Sequence, residues 1–516
     1  MTQRRAWLLC GCSFLAIVAN AGAATLLDAA QARDTAAVRA ALAAGADANA
    51  RDVDGSTPLL YAAHAADAAT VRALLGAGAD PNLANRYGVA PLHEAALVGD
   101  VDLVHALLDK GAEVDRALPE GETPLMLASR TGGAAAVRLL IERGANVNVL
   151  ERWQGQTPLM YAAAYDRAEV ARALIAAGAD VNAKTPLSDL PKRLPAARFN
   201  VEFPLGGMTP VLLAARQGAV HALAVLIEAH ANIDTATPEG FSPLVLAIHN
   251  LHYDAAKLLV DAGASPKGGA LYAIVNARDR VPLLGARPSP TGTVTELEIL
   301  HAMLAKGADV TDRPPLPLPD RDPGFGQIPT KPVDTALVRA ARSADVEAMR
   351  LLVDAGADPM QPEPDGLTAL IAVTAGPEIP PLVVVDRERP EQVDAIAALD
   401  YLLALGVDVN AADRLGVTAL HTVAKRGYVD VLRYLAAHGA DVNVADRTGR
   451  TPLDYAMGRS PALFGKPPES AAAAAALREL GAREGKIAAP VADANPRFPL
   501  ALGRPPTTQA DAAATR

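Results

Sequence analysis

The stretch from Gly88 to Asp115 reads GVAPLHEAALVGDVDLVHALLDKGAEVD. Its apolar residues recur at helical spacing, with a Pro near the start and a Gly near the end. Much the same string returns along most of the chain. Aligned on Gly-x-Thr-Pro, the anchors are Gly55, Gly88, Gly121, Gly155, Gly207, Gly240, Gly366, Gly416 and Gly449. Steps of 33, 33 and 34 residues lead from Gly55 to Gly155, and 33 separates Gly207 from Gly240 and Gly416 from Gly449. The gaps of 52 after Gly155 and 50 after Gly366 each read as one unit plus an insertion. A fixed period of this kind marks a solenoid, which grows by adding units rather than domains.

Each unit is legible from its residues. Thr57 is placed as an N-cap whose hydroxyl accepts from free N–H groups of a first helical turn. Pro58 follows at the first helical position, where it loses no hydrogen bond. Leu59, Ala62 and Ala63 make the packed face of a short helix, and Ala66-Asp67 a turn. A second helix from about Ala69 to Gly76 buries Val71, Leu74 and Leu75 at i, i+3, i+4. Gly78 suits the left-handed position after it, and Asp80 and Asn82 the extended turn beyond. Helices this short are not stable alone, so neighbours must stack to bury their faces.

The pattern resembles the ankyrin repeat. The segments that carry the resemblance are APLHEAALVGDVDLVHALLDKGAEVD (90–115), TPLMYAAAYDRAEVARALIAAGADVN (157–182) and TALHTVAKRGYVDVLRYLAAHGADVN (418–443). It covers roughly residues 25 to 483, in twelve units. The fold implied is an all-α solenoid of helix–turn–helix units, curved and elongated, with hairpin loops projecting to one side. The first unit (25–49) lacks the Gly-x-Thr-Pro start and reads as a cap. The eighth, from Ala270, is degenerate; the ninth (334–359) keeps Thr335 without the Gly or Pro. The last starts at Gly449, and its poly-Ala helix reads as the other cap. Insertions are expected at 187–205, 285–295, 313–332 and 376–392, and an Ala/Pro-rich disordered tail over 485–516. The first insertion mixes Lys192, Arg193 and Arg198 with Phe199 and Phe203.

Composition bounds the function. The chain has 516 residues, 50% hydrophobic but only 4% aromatic, with a formal net charge of −10. Nucleic acid as the main partner would need a strong basic field. Arg4 and Arg5 precede an apolar run from Ala6 to Val18, and small residues follow to Ala23. This is the layout of a secretory signal peptide over 1–23, and the run is too short to span a membrane. The string Arg4-Arg5-Ala6-Trp7-Leu8 also resembles a twin-arginine export signal, and Cys12 allows a lipoprotein reading. The expected location is periplasmic or secreted, and the composition suggests a bacterium. Both cysteines, Cys10 and Cys12, lie in the leader, so cleavage would leave no thiol chemistry.

No motif for chemistry stands out. There is no Gly-rich phosphate loop and no Gly-x-Ser-x-Gly elbow. His249 and His252 lie three apart without an obvious third metal ligand. His93 and His421 sit in the repeat's Thr-Pro-Leu-His position, where an imidazole serves turn backbone rather than catalysis. The expectation is a non-enzyme with no cofactor and no metal, although an enzyme or small-ligand site formed by the inserted loops is the alternative.

The resemblance implies protein binding on the concave face and hairpin tips. The tip candidates are Arg86, Tyr87, Trp153, Phe241 and Arg414, because Trp, Tyr and Arg dominate interface hot spots. At the ends of first helices stand Arg130, Tyr165, Arg216, Arg342, Lys425 and Arg426. Their excess of positive charge suggests a cationic inner stripe facing an acidic partner protein. A capped solenoid needs no second copy, so a monomer is expected.

Overall fold

A computed structural model describes residues 25–187, 206–278, 290–315, 334–375, 392–460 and 469–487. Residues 1–23, read as a leader, much of the four expected insertions, including Lys192, Arg193, Arg198, Phe199 and Phe203, and the residues beyond 487 lie outside these residues.

Among the described residues the regular elements are helices in twelve successive pairs. Repeat 1 holds α1 (Leu26–Gln31) and α2 (Thr35–Ala43), and repeat 2 holds α3 (Pro58–His64) and α4 (Ala68–Gly76). Repeat 3 holds α5 (Pro91–Val98) and α6 (Val101–Asp109); repeat 4, α7 (Pro124–Thr131) and α8 (Ala134–Glu142). Repeat 5 holds α9 (Pro158–Ala164) and α10 (Ala168–Ala176); repeat 6, α11 (Pro210–Gln217) and α12 (Val220–Glu228). Repeat 7 holds α13 (Pro243–His249) and α14 (Tyr253–Asp261); repeat 8, α15 (Ala270–Arg278) and α16 (Glu296–Ala305). Repeat 9 holds α17 (Ala336–Arg342) and α18 (Val346–Asp354); repeat 10, α19 (Ala369–Ala375) and α20 (Gln392–Ala404). Repeat 11 holds α21 (Ala419–Arg426) and α22 (Val429–Ala437); repeat 12, α23 (Pro452–Ala456) and α24 (Ala471–Glu479). The chain divides into two bodies: one holds repeats 1–8, the other repeats 9–12 with residues 308–313.

Local chemistry accounts for the helix bounds. Thr57 Oγ1 accepts from Leu60 N at 3.1 Å, and Thr123, Thr157 and Thr209 cap their helices the same way. The second helix takes its cap from an Asp where the sequence offers one, as Asp67 Oδ1 accepts from Thr70 N at 3.0 Å. Between the two helices the backbone turns left-handed. Gly99, Gly132, Gly218 and Gly427 fill that position in four repeats, while Ala66 (φ 54°) and Ala344 (φ 56°) hold it without glycine's freedom. Within each body first helices pack on first helices and second on second, burying Leu59, Ala62, Ala63, Val71 and Leu74 and their counterparts.

Two polar devices tie one repeat to the next. The first is a ladder at the turn after the second helix in repeats 1 to 6, 10 and 11. Asn82 Oδ1 accepts from Glu113 N at 2.8 Å while its amide donates to Gly111 O at 2.8 Å. Asn49, Asn148, Asn410 and Asn443 make the same double contact, and Asn182, Asp115 and Asp234 the accepting half. The second device is a buried histidine. His93 Nδ1 accepts from Ala90 N at 3.0 Å, and its Nε2–H donates to Arg116 O of the next hairpin at 2.8 Å. His421 repeats this with Thr418 N and Arg450 O, both at 3.1 Å. In repeat 12 the same position holds Asp454, fully buried. Its Oδ2 accepts from Thr451 N at 3.0 Å and Gly485 N at 2.7 Å, and Arg459 lies 3.1 Å from Oδ1. Asp454 thereby holds the chain past α24 against the last repeat.

Candidate interaction surface

The hairpin tips and the ends of the first helices are where side chains leave this framework. At several hairpin roots a polar side chain folds the turn around itself, whereas Leu118 leaves its hairpin to backbone bonds alone. In the first body Asn85 Oδ1 accepts from Tyr87 N and Val89 N. Glu151 accepts from Trp153 N, Gln154 N and Gln156 N at 2.5, 2.7 and 3.0 Å. These acceptors are consumed by backbone, and the residues beyond them are pushed outward. Trp153 is 75% exposed, Tyr87 55%, and Val53 is almost fully exposed. The Trp153 ring therefore does not fold onto a neighbouring tip. Successive tips are joined by backbone: Arg86 N donates to Asp54 O at 2.8 Å and Arg152 N to Glu120 O at 2.7 Å. The Arg86 guanidinium lies 2.9 Å from the Asp54 carboxylate and 4.8 Å from the Tyr87 ring centre. Its hydrogen bond to the Tyr87 hydroxyl raises its pKa.

Two expected contact residues are corrected. Phe241 is only 4% exposed. It follows Gly240 rather than preceding it, so it stands on the returning limb of the hairpin, where its carbonyl accepts from Thr237 N at 2.9 Å. Arg342 is 9% exposed, and its Nε donates to Asp334 Oδ2 at 2.6 Å. Neither side chain stands at the surface.

The helix-end residues separate by whether an acid precedes them. Arg130 is half-buried and sits 3.4 Å from Glu122, whose Oε1 also accepts from the Tyr161 hydroxyl at 2.8 Å. Burial and the Glu122 charge push the Tyr161 pKa up. Glu122 and Asp334 each lie eight residues before the arginine they neutralise, at the x of Gly-x-Thr-Pro or its equivalent. Met208 and Val417 fill that position before Arg216 and Lys425, and both of these cations are exposed. Desolvation by surrounding protein lowers the Arg216 pKa, yet a guanidinium remains charged. Tyr165 is exposed, as is Arg414 in the second body. Arg426 is half-buried, donates to Thr374 O at 3.3 Å and lies 5.4 Å from the Tyr428 ring centre. The uniform cationic stripe is thus interrupted in each body.

Sequence reading overlooked Tyr61, Glu94, Glu122 and Tyr161, which line the same side as the helix ends. Tyr61 hydrogen-bonds Asp52, and His64 Nδ1 lies 2.9 Å from Glu94. The signal was the acid facing each polar helix position from the neighbouring hairpin or helix. Elsewhere in the first body a groove of about 530 Å³ opens between the turns of repeats 4 to 6. Its polar side chains are engaged with the protein itself: His221 Nδ1 lies 2.7 Å from Asp166, Arg172 pairs with Glu169 at 2.6 Å, and Arg167 Nε donates to Arg130 O at 3.1 Å. His249 is buried, and His252 Nδ1 is 2.8 Å from Thr291 Oγ1. Among the described residues no three His, Cys, Asp or Glu side chains are grouped to hold a metal, and no helix is long and apolar enough to cross a membrane.

Comparison with known proteins follows the repeat count. The model for ankyrin repeats (3 copies) matches residues 26–118, 99–185 and 192–268, and that for ankyrin repeats (many copies) matches 402–456. This chain is an ankyrin-repeat protein. Among solved structures it is similar to the human ASB11 ankyrin repeat domain at 25% identity, over 47% of this chain and 98% of that one, with a TM-score of 0.39. No curated protein matches. Ankyrin repeats are in general protein–protein interaction modules.

Proposed function

We propose that this ankyrin-repeat protein is a non-enzymatic scaffold that binds a partner protein through its hairpin tips and first-helix ends. The observation that carries the reading is Trp153, an indole 75% exposed on a tip whose backbone is fixed by a buried Glu151. A large apolar ring left in water on a rigid support loses little ordering entropy on association and gains full burial. Tyr87 and Tyr165 in the same body supply further exposed aromatic surface. The leader at 1–23 supports a place of action in the periplasm or outside the cell.

The test is affinity capture from the envelope fraction with the mature chain and with a Trp153→Ala, Tyr87→Ala double variant. One protein retained by the first and lost by the second is the expected result. Equal recovery on both would remove the tips from the binding face. An intact leader on the chain isolated from cells would overturn the proposed location.

A further inference from the structure

The second body presents its tips differently, and we infer that they form a docking row for an acidic, extended protein segment. This deepens the scaffold reading and rests on it. Arg414 and Arg447 occupy the same tip position in successive hairpins. Each donates its backbone N–H to the tip before it, Arg414 to Asp365 O at 3.2 Å and Arg447 to Leu415 O at 2.9 Å. Gly366 and Gly416 are the residues against which they close: a Cβ on Gly366 would lie 2.5 Å from Arg414 N, and one on Gly416 3.1 Å from Arg447 N.

The chain beyond α24 supplies a third member. A Cβ on Gly449 would lie 2.2 Å from Lys486 O, and one on Gly485 2.0 Å from Gly449 O. Residues 485–487 therefore rest where a thirteenth hairpin would, with Lys486 in the tip place. They are fixed there by Gly485 N donating to Asp454 and by Arg459, which lies 2.8 Å from Glu484 and 3.1 Å from Asp454. Arg414, Arg447 and Lys486 are all exposed.

The nearby acids are engaged with other groups. Asp413 Oδ1 accepts from Leu415 N and Val417 N, and Asp446 Oδ1 from Thr448 N and Arg450 N. Asp365 Oδ1 accepts from Leu367 N, Glu484 pairs with Arg459, and Glu479 pairs with Arg433. In the first body Arg86, one of two arginines that make the same backbone contact, is neutralised by Asp54. Here the cations are left to a partner. An extended chain with carboxylates along one edge matches a row of single cations set at the repeat spacing. Leu415, 64% exposed between Arg414 and Arg447, adds an apolar contact that favours a polypeptide over a phosphate backbone.

The test uses the full chain and a fluorescent Glu/Asp-rich peptide in a salt series, with single-stranded DNA of equal charge and anionic phosphatidylglycerol vesicles as competitors. Wild type should bind the peptide, more weakly as salt rises. Arg414→Glu, Arg447→Glu, Lys486→Glu should lose at least about tenfold in affinity, since each reversal removes one attraction and adds one repulsion. Arg86→Glu should bind as wild type does. The inference is overturned by absent binding, by a triple variant equal to wild type, by an equal loss in Arg86→Glu, or by tighter binding of DNA or vesicles. Capture through Trp153 reads the other body and stands apart from each of these results.

Discussion

At the residue scale, the buried histidines convert pH into stability. His93 and His421 each accept a backbone N–H through Nδ1 and donate through Nε2, so the neutral ring is the one that fits. Burial lowers both pKa values. Arg116 also lowers that of His93 while Glu94 opposes it, and Asp446, Asp413 and Asp454 oppose burial at His421. A depressed imidazole contributes its full stability above the unfolded value near 6.5 and loses it as pH falls through the folded value. Urea unfolding should therefore show stability declining from pH 7 to pH 5, and a His93→Asn, His421→Asn variant should show a shallower decline. Equal slopes would remove these rings as the cause. Their backbone role was readable from Thr-Pro-Leu-His. The pairing of Arg130 and Arg342 was readable too, in Glu122 and Asp334 eight residues earlier, but not from the basic residues taken alone. Phe241 was misread by its place relative to Gly240: one residue after the glycine is a return limb, not a tip.

At the element scale, caps, turns and helix bounds were legible because each is set by residues within one turn of it. The double contact of each ladder asparagine was not, because its partners lie a whole repeat ahead, 29 and 31 residues for Asn82 and 38 and 40 for Asn443. Asp454 was missed for the same reason, since Gly485 reaches it only after α24. Burial raises its pKa, but hydrogen bonds from Thr451 and Gly485 and the contact with Arg459 outweigh that, and the net pKa is lowered. Its stabilisation is therefore present above the ordinary carboxylate range and lost as pH falls through the lowered value. Asp454→Asn keeps the shape but removes the charge and puts a donor where N–H groups converge. The expected cost is about 1–3 kcal/mol, with faster amide exchange at Gly485 and across α24. Unchanged exchange at Gly485 would show that the segment is held by packing instead.

At the scale of the whole molecule, a solenoid's stability is a sum of repeat terms and nearest-neighbour terms, so cooperativity weakens where neighbour terms are poor. The ladder position four residues after the turn glycine holds Asn or Asp from repeat 1 to repeat 6, with His230 in the glycine's place in the sixth, and Asn again in repeats 10 and 11. In repeats 7, 8 and 9 it holds Lys267, Thr311 and Met360. A lysine or methionine side chain offers no acceptor of comparable strength, and threonine is too short to bridge as asparagine does. Unfolding should accordingly proceed in two steps. Trp153 is the one tryptophan among the described residues and reports on the first body alone, whereas helical circular dichroism reports on both. In a urea titration of the chain from Ala24 onward, which lacks Trp7, the two signals should have different midpoints. Asn82→Ala should move the fluorescence transition, and Asn410→Ala should leave it in place while moving the remaining helical signal. Coincident transitions that both variants shift together would mean that repeats 7 to 9 transmit stability as fully as the ladder does.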